Sequence, residues 1–184
     1  MKKDISKTIE IPEGIEVKID GSKISVKGGD GESTRDFKLK NITLEQKENH
    51  LKLISKNATK KEKKMLNTNT AHIKNMIKGA NKKFEYTLKV CHLHFPITVE
   101  IKGNQVFVKN FLGERVARKA KIADDVKVDV DREIITVTSS NLEAAGQTAA
   151  NLEKTTWIRA RDRRVFQDGI FITNKPGREE KWNF

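Results

Sequence analysis

One pattern of residues occurs twice in this chain, and it limits the fold more than any other feature. The stretch Ile11-Pro12-Glu13-Gly14-Ile15-Glu16-Val17-Lys18 returns as Phe95-Pro96-Ile97-Thr98-Val99-Glu100-Ile101-Lys102. Pro12 stands against Pro96, Glu16 against Glu100 and Lys18 against Lys102. Asp20-Gly21-Ser22-Lys23 then shortens to Gly103-Asn104-Gln105, a change that a hairpin turn accepts without disturbing its strands. Further on, Val26-Lys27 meets Val108-Lys109, Gly31-Glu32 meets Gly113-Glu114, and Ser55-Lys56-Asn57 meets Ser139-Ser140-Asn141. Ordered matches across turns of unequal length mark a duplicated unit of about 80 residues, a domain-scale period and not that of a solenoid. The expected organisation is a first repeat over 1–83, a second over 84–174 and a tail over 175–184.

Each copy carries the same coarse pattern. Alternation in Ile15, Val17, Ile19 and in Ile24, Val26 predicts half-buried strands, with Gly21 at the turn between them and Gly28-Gly29-Asp30-Gly31 at a looser one. Two more strands are expected near 42–45 and 51–55. A helix is expected over 61–78, burying Met65, Ile73, Met76 and Ile77, with Gly79 as its C-terminal cap. A long alternating strand follows at 84–90. The second copy predicts strands at 99–101, 106–108, 126–130 and 134–138, a helix near 142–156 and a closing strand near 165–173. Strands followed by a single helix imply an α+β class, twice over: two tandem small domains, each a mostly antiparallel sheet packed against one helix.

Charge points to the partner. The 184 residues hold 37 Lys+Arg against 25 Asp+Glu, a formal net charge of +12. Polyanions are the natural counterpart of such a surplus. A membrane surface would call for a helix with Trp, Phe or Leu on one face and cations on the other, and the sequence has none. No apolar run approaches the roughly 20 residues of a spanning helix, and residues 1–10 lack the apolar core of a secretory signal. A single cysteine, Cys91, fits a reducing, intracellular setting. The cations are also sorted by type. Arg35 is the one arginine among residues 1–90, whereas Arg115, Arg118, Arg132, Arg159, Arg161, Arg163, Arg164 and Arg178 lie beyond. Lysine is a hydrated point charge, while arginine offers a planar fork that fits phosphate. The Lys-rich half therefore suggests diffuse attraction and the Arg-bearing half fitted contact.

Catalytic and metal constellations do not assemble. His92 and His94 would share one strand face, but no third or fourth ligand has suitable spacing. The loop Gly28-Gly29-Asp30-Gly31 lacks the Lys-Ser/Thr ending and helix of a phosphate-binding P-loop. The acidic residues Asp124, Asp125, Asp129, Asp131 and Glu133 are interspersed with Lys127 and Arg132 and read as a solvated strand edge. Cys91 has no base and orienting partner. No catalytic residue, metal or cofactor is expected.

The C-terminal part differs. Gly146-Gln147-Thr148-Ala149-Ala150 places small residues on a helix, for tight packing on the sheet or for the close approach of a partner. After it, Trp157-Ile158-Arg159-Ala160-Arg161-Asp162-Arg163-Arg164-Val165-Phe166-Gln167-Asp168-Gly169-Ile170-Phe171-Ile172 interleaves cations with aromatic and apolar groups, as suits phosphate contact beside a packed platform. The tail from Lys175 to Phe184 is too polar to bury itself.

These residues carry a resemblance. The duplication, Gly146–Ala150, the run Arg164-Val165-Phe166-Gln167-Asp168-Gly169-Ile170-Phe171-Ile172 and, in the first copy, Asn69-Thr70-Ala71-His72-Ile73-Lys74-Asn75-Met76-Ile77-Lys78-Gly79 resemble the family of the universal sixth protein of the large ribosomal subunit, in its archaeal or eukaryotic-cytosolic form. The resemblance implies a non-catalytic ribosomal constituent in the cytoplasm. Its partners would be large-subunit rRNA, bound chiefly by the second domain, and ribosomal proteins at the stalk base. The sarcin–ricin loop and the docking translational GTPases would lie nearby. It implies rRNA contact by Gln147, Lys154, Arg159, Arg161, Arg163, Arg164 and Lys175, and the tail adds Arg178 and Lys181. Asp168-Gly169 is expected to set a turn, with Phe166, Ile170 and Ile172 facing the core. The competing reading is a free-standing RNA-binding protein or RNA chaperone, which would want exposed aromatic platforms.

Overall fold

In a computed structural model of the chain, residues 3–37, 39, 41–47 and 50–177 are described. The chain forms two compact units, Met1–Lys83 and Phe84–Phe184. The first contains β1 (Lys3–Glu10), β2 (Glu16–Asp20), β3 (Lys23–Lys27), β4 (Glu32–Asp36), β5 (Thr43–Lys47), β6 (His50–Ala58) and α1 (Lys60–Asn81). The second contains β7 (Phe84–Cys91), β8 (Thr98–Lys102), β9 (Gln105–Lys109), a 3-10 turn (Phe111–Gly113), β10 (Arg118–Lys121), β11 (Lys127–Asp131), β12 (Ile134–Ser139), α2 (Leu142–Thr155) and β13 (Gly169–Asn174).

The duplicated α+β architecture is present, and in each copy the strands divide into two antiparallel sheets. The first unit has the orders β1-β6-β5 and β2-β3-β4; the second has β11-β12-β7-β13 and β10-β9-β8. The helix packs on both sheets of its unit. Around α1 the core gathers Ile24, Val26, Leu51, Leu53, Leu66 and Ile73, and around α2 it gathers Leu88, Val106, Val108, Ile135, Leu152 and Ile170. Leu66 takes the fully buried place expected of Met65, which is only partly buried. Gly79 lies inside α1, which ends at Asn81 with Lys82 as its cap.

The two copies repeat even in their polar interior. The Ser55 hydroxyl donates to the carbonyl of Asn41 at 3.0 Å, and the Ser139 hydroxyl to the carbonyl of Asp125 at 2.9 Å. Asn41 and Asp125 both stand in the left-handed region, at φ 61° and 60°, which Asn and Asp tolerate better than other side chains. One detail of the sequence comparison is corrected. The β2–β3 and β8–β9 loops have the same length, since Asp20 pairs with Lys23 and Lys102 with Gln105. The two-residue difference therefore precedes these hairpins, so that Asp20, not Lys18, is the counterpart of Lys102. A slip of two residues keeps every side chain on its own face, which is why alternation did not reveal it.

Strands β1, β4 and β10 were not expected. Each is polar along much of its length, so burial was absent from the pattern. β1 pairs with β6 just as β7 pairs with β12, making β7 the second copy's version of β1. What the second copy adds is β13, which pairs with the other side of β7. After α1 the chain passes almost directly into β7 of the second unit; after α2, residues 156–168 intervene before β13.

One glycine in the first unit is required by packing. A Cβ on Gly28 would lie 2.6 Å from the Ala80 carbonyl oxygen, which also accepts the Asp30 amide at 3.1 Å. The loop thus covers the end of α1, and neither partner is a movable side-chain tip. Gly28→Ala is expected to lower unfolding free energy by about 1–3 kcal/mol, read as a shifted urea midpoint by circular dichroism. An unchanged midpoint would show that the loop yields without cost.

Candidate nucleic-acid interface

The helix α2 ends in a set of clamps that hold residues 157–168. Thr156, almost fully buried, donates its hydroxyl to the Glu153 carbonyl and accepts the Ile170 amide at 2.9 Å, joining the helix end to β13. Arg118 supplies a second clamp. One guanidinium nitrogen donates to the carbonyls of Thr155 at 2.8 Å and Trp157 at 3.2 Å, and the other two donate to the Glu114 carboxylate at 2.8 and 2.6 Å. The same group lies 4.3 Å from the centre of the Phe111 ring. It thereby answers the partial negative charge of the helix C-terminus. The hydrogen bond and charge of Arg118 hold the Glu114 carboxyl below the usual range, over an opposing effect of burial. Arg118 is partly buried and its donors are committed to partners within the protein, unlike the phosphate-facing role suggested for the arginines of this half.

The far end of the loop is tied by Asp168, which is 2% exposed. Its carboxylate accepts the amides of Leu93 at 2.5 Å and His94 at 3.0 Å, and Nδ1 of His94 donates to it at 2.5 Å. Burial opposes the charge, but these donors outweigh it and hold the carboxyl at about 2. The expected turn at Asp168-Gly169 is absent: β13 begins at Gly169, and Asp168 serves as a cross-link to segment 92–95. His94 also stacks on Phe166, with centroids 5.1 Å apart, and the Arg161 guanidinium stands 4.7 Å from the same ring. Phe166 is therefore half-buried in this stack and does not face the core. Ile170 is fully buried, and Ile172 packs against the core from a partly buried position.

Between the clamps the loop is shaped by its own backbone. Ala160 has φ 55°, a left-handed conformation that costs an alanine about 1–2 kcal/mol and separates Arg159 from Arg161. Asp162 holds the next turn, its carboxylate accepting the Arg164 amide at 2.9 Å and its carbonyl the Phe166 amide at 3.0 Å. Asp162 thus orders main chain and does not neutralise a neighbouring arginine. Arg159, Arg161, Arg163 and Arg164 are all exposed, and among the described residues none has a carboxylate within ion-pair distance.

Two clefts flank this loop. One, of about 840 Å³, has Lys154, Trp157, Arg163, Phe166 and Phe171 among its walls. The other, of about 390 Å³, is bordered by Lys154, Trp157, Arg159 and Arg161 over the Arg118–Glu114 pair. Lys154, Arg159, Arg161 and Arg163 are brought together here. Gln147 is exposed two helical turns earlier on the same face of α2, its amide donating to Asn151 at 2.8 Å. Arg164 borders neither cleft. Lys175 follows β13 at the other end of the sheet from Gly169, apart from the cluster. Arg178 and Lys181 lie outside the described residues.

The remaining sequence candidates resolve as structure. The small residues of α2 serve packing: Ala145, Thr148 and Ala149 are buried, and a Cβ on Gly146 would sit 2.9 Å from the Tyr86 hydroxyl. The acidic residues Asp129 and Asp131 lie on β11, an edge strand, where Lys127 pairs with Asp129 at 3.1 Å. Among the described residues no group of three His, Cys, Asp or Glu side chains has metal-holding geometry, and no helix is long and apolar enough to cross a membrane. Arg118 and the His94–Asp168 pair were missed, because their partners lie far apart in sequence or on irregular backbone.

Comparison with known proteins agrees with the duplication. The profile of the family described as Ribosomal protein L6 matches twice, at residues 11–83 and 95–169, once in each unit. The large ribosomal subunit protein uL6 of Methanobrevibacter smithii is 46% identical, over 93% of this chain and 96% of its own. The proteins of that name from Sulfurisphaera tokodaii and Archaeoglobus fulgidus are 44% and 39% identical, covering 91% and 92% of this chain and 90% and 89% of theirs. With both copies matched and the clamped basic loop lying within the second match, the chain belongs to the ribosomal protein L6 family, in its archaeal form.

Proposed function

We propose that this protein is a structural constituent of the cytoplasmic large ribosomal subunit, and that its second unit, over 84–174, is the main rRNA-binding domain. The family is structural and non-enzymatic, and its members carry the name of the large subunit. The observation that carries the reading is the loop at 157–168: Arg159, Arg161 and Arg163, with Lys154 beside them, are exposed on backbone fixed at both ends and, among the described residues, have no carboxylate partner. Cations that serve only solubility do not need such anchoring. Guanidinium groups held on fixed backbone lose little freedom when they meet phosphate, which favours fitted contact with folded RNA. Arg164 and Gln147 extend that surface, and Lys175, Arg178 and Lys181 are proposed as further rRNA contacts. The lysines of the first unit add diffuse attraction.

The proposed location is near the stalk base and the sarcin–ricin loop, among neighbouring ribosomal proteins and close to where translational GTPases dock. A rival role as a free-standing RNA chaperone draws on the exposed Trp157, and sedimentation separates the two. The protein is expected to stay with large subunits through a high-salt wash and to bind a large-subunit rRNA transcript with an affinity that falls steeply as salt rises. Release at moderate salt, with equal affinity for unrelated single strands, would favour the rival.

A further inference from the structure

We propose that the larger cleft beside the basic loop is a pocket for one unpaired nucleotide of the bound RNA, with the base stacked on Trp157. The proposal rests on the RNA-binding reading above. At about 840 Å³ the cleft falls within the roughly 300–1,000 Å³ of small-molecule sites. Its walls combine the aromatic rings of Trp157, Phe166 and Phe171 with the cations of Lys154 and Arg163. A nucleotide is the ligand with that division, a flat base carrying an anionic phosphate. Charge favours it over an apolar peptide. Of the two bordering carboxylates, Asp168 is already satisfied by two amides and an imidazole, and Glu153 is exposed to solvent.

Trp157 is the natural stacking face. It is 57% exposed, an unusual position for so large an apolar ring, yet its backbone is held on both sides. Its amide donates to the Lys154 carbonyl at 3.1 Å and its carbonyl accepts from Arg118. Phe166 differs: His94 and Arg161 already lie against it, so it forms a wall. Lys154, Trp157 and Ile158 border both clefts. An RNA strand crossing that ridge would set its phosphates toward Arg159 and Arg161 and turn one base into the larger cleft. The base must come from outside a duplex, because paired bases have their faces covered by neighbours.

The test uses the full chain carrying Trp182→Phe, which leaves Trp157 as the sole indole reporter. Three probes are compared: an oligoadenylate tetramer, an abasic tetramer of equal phosphate count, and a large-subunit rRNA transcript. The oligoadenylate is expected to quench Trp157 fluorescence and to bind roughly tenfold more tightly than the abasic strand. In a chain that keeps Trp182, Trp157→Ala should abolish that preference and Trp157→Phe should keep most of it, while the exposed position leaves folding undisturbed. Equal binding of the two tetramers, or an unchanged preference in Trp157→Ala, overturns the pocket. If the transcript still binds with steep salt dependence in that case, the rRNA interface stands without the pocket. If the transcript does not bind, the interface reading fails and the pocket with it.

Discussion

Replacing Asp168 with alanine is expected to destabilise the second unit by about 2–4 kcal/mol, because two backbone amides and an imidazole lose their common acceptor inside a part-buried site. Asp168→Asn keeps an oxygen for the amides and gives up the charge, so it should cost roughly half as much. The pH dependence has a definite sign. The folded carboxyl sits at about 2 against an ordinary 3.8, so its stabilisation is complete above the ordinary value and is lost as pH falls through the folded one. Wild-type unfolding free energy should therefore fall between about pH 4 and 2 more steeply than that of Asp168→Asn. Urea unfolding at a series of pH values provides the check, and parallel profiles for the two proteins would remove the carboxylate from the account. The functional consequence follows from position: without Asp168, segment 92–95 and the end of the basic loop are no longer tied, and RNA affinity should fall along with stability.

Removing the loop's charge should do the opposite, sparing the fold and losing the RNA. The triple change Arg159→Ala, Arg161→Ala and Arg163→Ala is expected to lower affinity for a large-subunit rRNA transcript by roughly 100-fold or more at moderate salt, and to flatten the plot of log affinity against log salt by about 2–3. The melting temperature should barely move, since the side chains are exposed and, among the described residues, have no carboxylate partner. The exception is Arg161 over Phe166, a contact worth about 0.5–1 kcal/mol at an exposed site. Filter binding across a salt series, paired with calorimetry, reads both quantities. An unaltered salt slope would show that these cations do not meet phosphate.

Several features that position the interface had no local signature. Trp157 stands in a run with Ile158, and nothing in that run distinguishes a core tryptophan from an exposed one. The resemblance implies a core position for Phe166, yet β13 starts only at Gly169, and the irregular backbone before it carries the ring into the stack with His94 and Arg161. Arg118 resembles its neighbours Arg115 and Lys119 in sequence. Its internal role depends on Glu114, on the end of α2 and on Phe111, which only the folded chain assembles.

What the sequence determined by itself was everything that rests on local periodicity and on repetition: two copies, strands followed by one helix in each, a hydrophobic face for the elements whose apolar residues alternate or recur, and a cluster of arginines after the second helix. Apolar spacing is a property of neighbouring residues, so it is legible without coordinates. The tertiary structure alone decided which polar groups are consumed and which are offered. Asp168 meets His94 across 74 residues, and Arg118 meets the Thr155 carbonyl across 37. Hydrogen bonds and ion pairs act over a few ångströms in space, whatever the separation along the chain. Only the pairing of β13 with β7 and the packing of α2 bring those partners within reach, and with them the fixed ridge on which Arg159, Arg161 and Arg163, among the described residues, meet no carboxylate.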